Sequence, residues 1–205
     1  MLPFRPSVVP ACRVPRRRGF TLAETMIVLI MVGVLAAIAA PRLDVQRFHL
    51  DSAVHAVTTT VLAAQREAVS RQHNVLVLVD SAAGTMRIGW DANNDEQLGT
   101  GERARAVALP PAVRFGRLAV TGAPGGPTGA ITPLRSCGGT PCLVLQRNGS
   151  ADRVAGFYLS SARAITAGGT PSRDLARETR YIEVQRASGR PHTWTFTGTT
   201  WRRAN

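Results

Sequence analysis

"RRRGFTLAETMIVLIMVGVLAAIAAP", residues 16–41, carries the decision about the fold. Met26 to Ala40 is fifteen residues without a polar side chain, and the run from Phe20 to Ala40 is 21 residues long. As a helix this run reaches roughly 32 Å, enough for a hydrocarbon core of about 30 Å. Arg16, Arg17 and Arg18 precede it directly. By the positive-inside rule they keep that end cytoplasmic, and the remainder of the chain is exported. One residue conflicts with the run. Glu24 sits at its head, and a carboxylate at the centre of a membrane helix costs about 2.5–3.5 kcal/mol. An intramembrane charge of this kind is expected to have a partner.

Beyond Pro41 the apolar pattern turns periodic. Leu43, Leu50, Val54, Val57, Val61, Ala64 and Ala68 fall on one helical face, and Asp44, Arg47, His49, Asp51, His55, Arg66 and Arg71 fall elsewhere. The spacing predicts an amphipathic helix over 41–73 that continues the apolar one, with a bend at Pro41. From Asn74 the character is β. "NVLVLV" reads as a buried strand and "TMRIGW" pairs with it across "DSAAG". "ARAVAL", "AVRFGRLAV", "CLVLQR", "RVAGFYLS", "RYIEVQR" and "HTWTFTG" read as further strands, with loops at 121–130 and 165–173. The expected class is α+β, with one long N-terminal helix packed on an antiparallel sheet domain over 74–205. There is no internal repeat and no sign of a second globular domain.

Charge is distributed unevenly along the 205 residues. The net charge is +12, and every basic residue is arginine. Residues 44–102 carry eight acids against four arginines, and residues 103–205 carry fifteen arginines against four acids. A basic far half fits either an anionic partner or a hydrated surface. Catalytic patterns are missing: there is no Gly-x-Ser-x-Gly, phosphate loop or paired-carboxylate motif. His49, His55, His73 and His192 have no metal-ligand spacing. An enzyme is not expected, nor a cofactor.

Two readings of the N-terminus compete. In the first it is a secretory signal, with Ala37 and Ala39 in "AAIAAP" at the spacing of a cleavage site, and the product is a secreted β-protein. In the second the apolar run is a permanent anchor, cut on its cytoplasmic side. The order "RRRGFTLAE" resembles the prepilin peptidase site of type IV pilins and type II secretion pseudopilins. The helix end "LAAQREAVSRQHNVLVLV", the strands "QRNGSADRVAGFYLS" and the near-terminal "YIEVQRASGR" look like the GspH/FimT group of minor pilins and pseudopilins.

The resemblance covers most of the chain after residue 19. It implies removal of a leader over 1–19 by cleavage between Gly19 and Phe20, and N-methylation of Phe20. It makes 20–40 the membrane and assembly helix. It implies that Glu24 meets the N-terminal amine of a neighbouring subunit inside the helical bundle, with Pro41 closing this segment. The expected partners are other pilins, prepilin peptidase and the inner membrane. The protein is expected to be a single-pass inner-membrane protein with a periplasmic C-terminal domain, at or near a filament tip or in assembly initiation.

Three further features have both a site reading and a plainer one. Cleavage after Gly19 removes Cys12 and leaves Cys137 and Cys142 in "CGGTPC", a disulfide in an oxidising compartment or two thiols in a loop. "DANNDEQLGTGE" places Asp91, Asn93, Asp95, Gln97, Gly99 and Glu102 at calcium-loop positions. Glu96 stands where that loop turns on glycine, and the flanks read as strands, so a solvated β-connection is the expectation there. Arg186, Arg190, Arg202 and Arg203 lie near Trp194 and Trp201, a composition suited to phosphate and stacked bases. Some FimT-type pilins bind DNA through a C-terminal Gly-Arg-x-Arg. Here the order is Gly189, Arg190, Pro191, His192, without the second arginine.

Overall fold

The computed structural model describes residues 20–39 and 45–204. Residues 1–19, with Cys12 and Gly19, lie outside the described residues, as do 40–44 with Pro41. The chain divides into two compact units, 1–43 and 44–205.

The first unit is helix α1, Leu22–Ala39. Its start is set by "TLAE", a Ser/Thr-x-x-Glu capping pattern. The Thr21 hydroxyl accepts a hydrogen bond from the Glu24 amide at 3.2 Å, so one orphan donor of the first turn is satisfied. Glu24 adds negative charge at the positive end of the helix dipole. Its 18 residues span about 27 Å, just short of a hydrocarbon core. Among the described residues, no helix is long and apolar enough to cross a membrane. The 21-residue run of the sequence includes Ala40, outside that set.

The second unit opens with α2, Val45–Arg71. Its buried face is Leu50, Ala53, Val57, Val61, Ala64 and Ala68, with Val54 at its margin. The β-domain is divided into two sheets, where one was expected. The first runs in the order β3 (Ala104–Ala108), β2 (Thr85–Asp91), β1 (Asn74–Asp80), β6 (Thr140–Leu145), β5 (Arg135–Cys137). The second runs β10 (Trp201–Arg203), β9 (Pro191–Phe196), β8 (Thr179–Val184), β7 (Ala155–Ser161), β4 (Val113–Phe115). All neighbours are antiparallel. The stripe of α2 packs with Val75, Val77, Val79, Leu143 and Leu145 of the first sheet and with Phe157, Leu159, Ile182 and Val184 of the second, forming one core.

Each sheet has a second covered face, and this explains the continuous apolar runs. Alternate residues of β1 go opposite ways: Leu76 and Leu78 join Cys137, Cys142 and Val144 in a smaller cluster under Leu98. Tyr158 and Tyr181, on the far side of the second sheet, pack with Ala123, Trp194 and Trp201.

Several sequence expectations are corrected here. "AVRFGRLAV" is a strand only over Val113–Phe115. Beyond it Arg117 donates to the carbonyls of Val120 and Thr128 and lies over the Tyr158 ring, which folds the chain across the sheet instead of along it. The 165–173 stretch is not all loop. Helix α3 (Ala162–Ala167) and helix α4 (Arg173–Ala176) border it, capped by the hydroxyls of Ser161 and Ser172. The short strands β5 and β10 lie where no strand was expected.

Candidate assembly and binding sites

Helix α1 presents apolar side chains all round. Phe20 is 79% exposed and Leu29 70% exposed, so nothing within their own unit covers them. Exposed apolar area of this extent calls for a lipid or helical partner. Phe20 and Glu24 are four residues apart, roughly 6 Å along the axis. The Phe20 nitrogen and the Glu24 carboxylate therefore lie at the same end of this segment. Sequence reasoning did not include Thr21, although the Thr-x-x-Glu spacing carries its signal.

The cysteines Cys137 and Cys142 are joined, with Cα atoms 5.8 Å apart, in the usual disulfide range. The bond closes the β5–β6 hairpin and is buried in the Leu76–Val144 cluster.

The 91–102 loop is closed by its own hydrogen bonds. Asp91 is fully buried and accepts from the amides of Asp95 at 3.0 Å and Glu96 at 2.8 Å. Asp95 accepts from the Gln97 amide and from the Asn93 side chain. Glu102 accepts from the amides of Ala92 and Gly99, both at 2.8 Å. The acids at these positions thus order the loop through its own backbone amides. Among the described residues, no group of three or more His, Cys, Asp or Glu side chains is arranged to hold a metal ion. Burial holds the Asp91 carboxyl above its ordinary range, against the lowering effect of the two amides. Glu96 pairs with Arg135. Leu98 lies over Gly89, where a Cβ would meet its Cδ1 at 2.5 Å. The loop is a cap on the outer face of the first sheet.

The arginine candidates do not form one cluster. Arg186 and Arg190 flank the β8–β9 turn, and Arg190 lines a shallow polar pocket with Gln65, Asn148, Gln185 and His192. Arg202 and Arg203 are successive strand residues and leave β10 on opposite faces. Arg203 contacts His192. Both tryptophans are already engaged. Trp194 Nε1 donates to Glu183 at 3.4 Å, and Trp201 Nε1 donates to the Thr121 carbonyl at 2.7 Å.

A junction that sequence reasoning missed joins helix and turns. Gln65 Nε2 donates to the carbonyls of Gly149 at 3.4 Å and Ser188 at 3.3 Å. The Ala151 amide donates to the Arg186 carbonyl at 2.8 Å, tying the loop after β6 to the loop after β8. A single mid-helix glutamine has no local pattern to mark it.

Comparison with known proteins gives three results. Residues 14–40 match the model of the prokaryotic N-terminal methylation motif. The chain is 31% identical to the pilin-like protein PilA1 of Thermus thermophilus, over 66% of this chain and 97% of that protein. Among solved structures it is similar to the minor pseudopilin EpsH from the type 2 secretion system of Vibrio cholerae. That match has 10% identity and a TM-score of 0.42, over 75% of this chain and 93% of the other.

Proposed function

Because the chain belongs to the type IV pilin and pseudopilin family, we propose that it is a minor subunit processed by prepilin peptidase and built into a pilus or pseudopilus. Membership implies assembly with other pilins, a structural role rather than a catalytic one. The carrying observation is the order Gly19-Phe20-Thr21-Leu22-Ala23-Glu24 ahead of an apolar helix whose side chains are exposed. Cleavage after Gly19 frees the amine of Phe20, and methylation leaves it basic. In a lone subunit Glu24 is a charge at the head of an apolar segment. In a bundle of such helices it meets a neighbour's amine, so assembly removes the penalty. The anchor lies in the inner membrane and the unit from residue 44 onward in the periplasm, where Cys137–Cys142 is stable. The chain from Phe20 onward keeps 20 arginines against 13 acids, a net of +7, and stacking many copies of it accumulates self-repulsion, which favours a minor place at the tip or in initiation.

Mass analysis of the membrane fraction tests the reading. The mature chain begins at Phe20 and carries a methyl on its α-nitrogen. A soluble product beginning at Ala40 would restore the secreted β-protein.

A second reading, DNA capture through the basic C-terminal region, has one observation in its favour: Arg186, Arg190, Arg202 and Arg203 are all exposed. Their division between a turn and two strand faces suits scattered phosphate contacts better than a single groove. Titration against random-sequence DNA at several salt concentrations tests it. Replacing all four by glutamine lowers the salt slope by about one unit for each arginine that touches a phosphate. Equal slopes remove the reading.

A further inference from the structure

The end of the globular unit where α2 begins carries an arginine-lined cavity that filament assembly through α1 does not use. Its walls are Arg47, Arg177, Arg180, Thr195, Phe196 and Thr197, around about 330 Å³. The guanidinium groups are held in place by the fold. Arg180 is buried, donating from Nε to Asp51 at 3.0 Å and from Nη1 to the Arg177 carbonyl at 2.7 Å. Arg177 donates from Nε to the Thr197 carbonyl at 3.0 Å, and its Nη1 is 3.8 Å from Asp174. Register adds a fourth cation: Arg202 pairs with Thr195 across β10 and β9, so its side chain shares the cavity's face. Asp51 pairs with Arg180 and Asp174 with Arg177, while Arg202 is exposed.

Two apolar side chains stand exposed at the same end, Val45 at 54% and Phe48 at 72%. They flank Arg47 in the first turn of α2. Ala39, the last residue of α1, is eight residues from Arg47.

We propose that this arginine cavity, with Val45 and Phe48, is a docking surface for the phosphates of anionic lipid in the membrane that anchors the subunit. The inference rests on reading α1 as that anchor. An exposed guanidinium such as that of Arg202 matches phosphate oxygens in bidentate geometry, while Arg180, held by Asp51 and by the Arg177 and Thr179 carbonyls, forms the fixed floor beneath it. Anionic surfaces attract basic groups held next to a membrane segment, and an exposed aromatic ring suits the headgroup layer. Docked in this way, the globular unit rests on the membrane until the subunit is drawn into a filament.

The test avoids the anchor. All the core clusters are built from residues beyond Asp44, so residues 44–205 fold without α1. Flotation of that fragment with vesicles of phosphatidylglycerol and phosphatidylcholine is compared with pure phosphatidylcholine. Binding is expected only to the anionic vesicles, and it falls as salt rises. Arg177→Gln and Arg202→Gln each weaken it about fivefold. Arg105→Gln and Arg114→Gln, each of which removes the same single charge from an exposed position elsewhere, leave it unchanged. Phe48→Ser lowers it at every salt concentration. Absence of binding to anionic vesicles overturns the proposal. So does an equal loss from the control pair, which makes net charge the cause. Calorimetry with inorganic phosphate and with a short DNA duplex completes it. Binding of either without vesicle binding assigns the arginines to a soluble anion or to nucleic acid, and the lipid is rejected. A failed anchor shows itself instead at the mature N-terminus.

Discussion

Gly189 lies against Gly149: a Cβ built at 189 would stand 2.5 Å from the Gly149 carbonyl oxygen, and the backbone at 189 has φ +62°. Two turns from different sheets meet here, and Gln65 of α2 donates to both. The glycine of the near-terminal Gly-Arg pair is therefore fixed by packing, whatever its arginine binds.

Gly189→Ala forces a left-handed residue and a contact with backbone that cannot move aside cheaply. Left-handed backbone alone costs about 1–2 kcal/mol, and the clash adds to it, so a loss of about 2–4 kcal/mol is expected in denaturant unfolding. Arg190→Gln, at an exposed neighbour, stays within about 0.5 kcal/mol. If both variants unfold like the wild type, the junction is looser than its geometry.

Leu98 and Gly89 make the corresponding contact on the first sheet. Leu98→Ala uncovers Leu76, Val144 and the disulfide. For a half-buried leucine this costs about 1–2 kcal/mol, below the fully buried range. Calcium is expected to leave the melting temperature of the wild type unchanged, because among the described residues no three acids converge to hold a metal ion. A rise with millimolar calcium would show that the loop opens to bind it.

The helical half of the molecule was legible in the sequence, and the division of the sheets was not. Periodicity marked Leu50, Val57, Val61, Ala64 and Ala68 because one helix face is a local property. "NVLVLV" announced burial on both sides, yet what covers the second face, Leu98 from twenty residues onward, is a long-range fact. Arg186, Arg190, Arg202 and Arg203 look like one cluster along the chain. Strand alternation separates Arg202 from Arg203, and the β8–β9 turn carries off the other two. The acids of 91–102 matched a ligand spacing, but spacing does not say whether a carboxylate faces an ion or its own backbone.

Asp91 gives a pH dependence with a definite sign. Burial raises its folded pKa above the unfolded value, which lies at roughly 4. Between the two values the folded state binds more protons, so this contribution to stability is complete at low pH and is lost as pH rises through the folded value. Asp91→Asn removes the titration. Unfolding midpoints measured between about pH 3 and pH 7, across this range, should move in the variant's favour relative to wild type as pH rises. A difference that is flat, or that grows against the variant, refutes the assignment.

Glu24 has two roles that one substitution pair separates. It stands in the first turn of α1, where Thr21 caps its amide, and it carries the charge proposed to meet a neighbour's amine. Glutamine keeps the capping pattern, since Gln serves as well as Glu at the third position of the box, but it has no charge. Alanine removes both. Membrane insertion should be intact or improved for each, because a charge leaves an apolar segment. If pairing governs assembly, Glu24→Gln and Glu24→Ala fall to the same low level of crosslinking to other pilins. If the helix start governs it, only Glu24→Ala falls, with Thr21→Val alongside it. Wild-type crosslinking in Glu24→Gln therefore removes the pairing role and leaves the cap as the reason a carboxylate stands at the head of this helix.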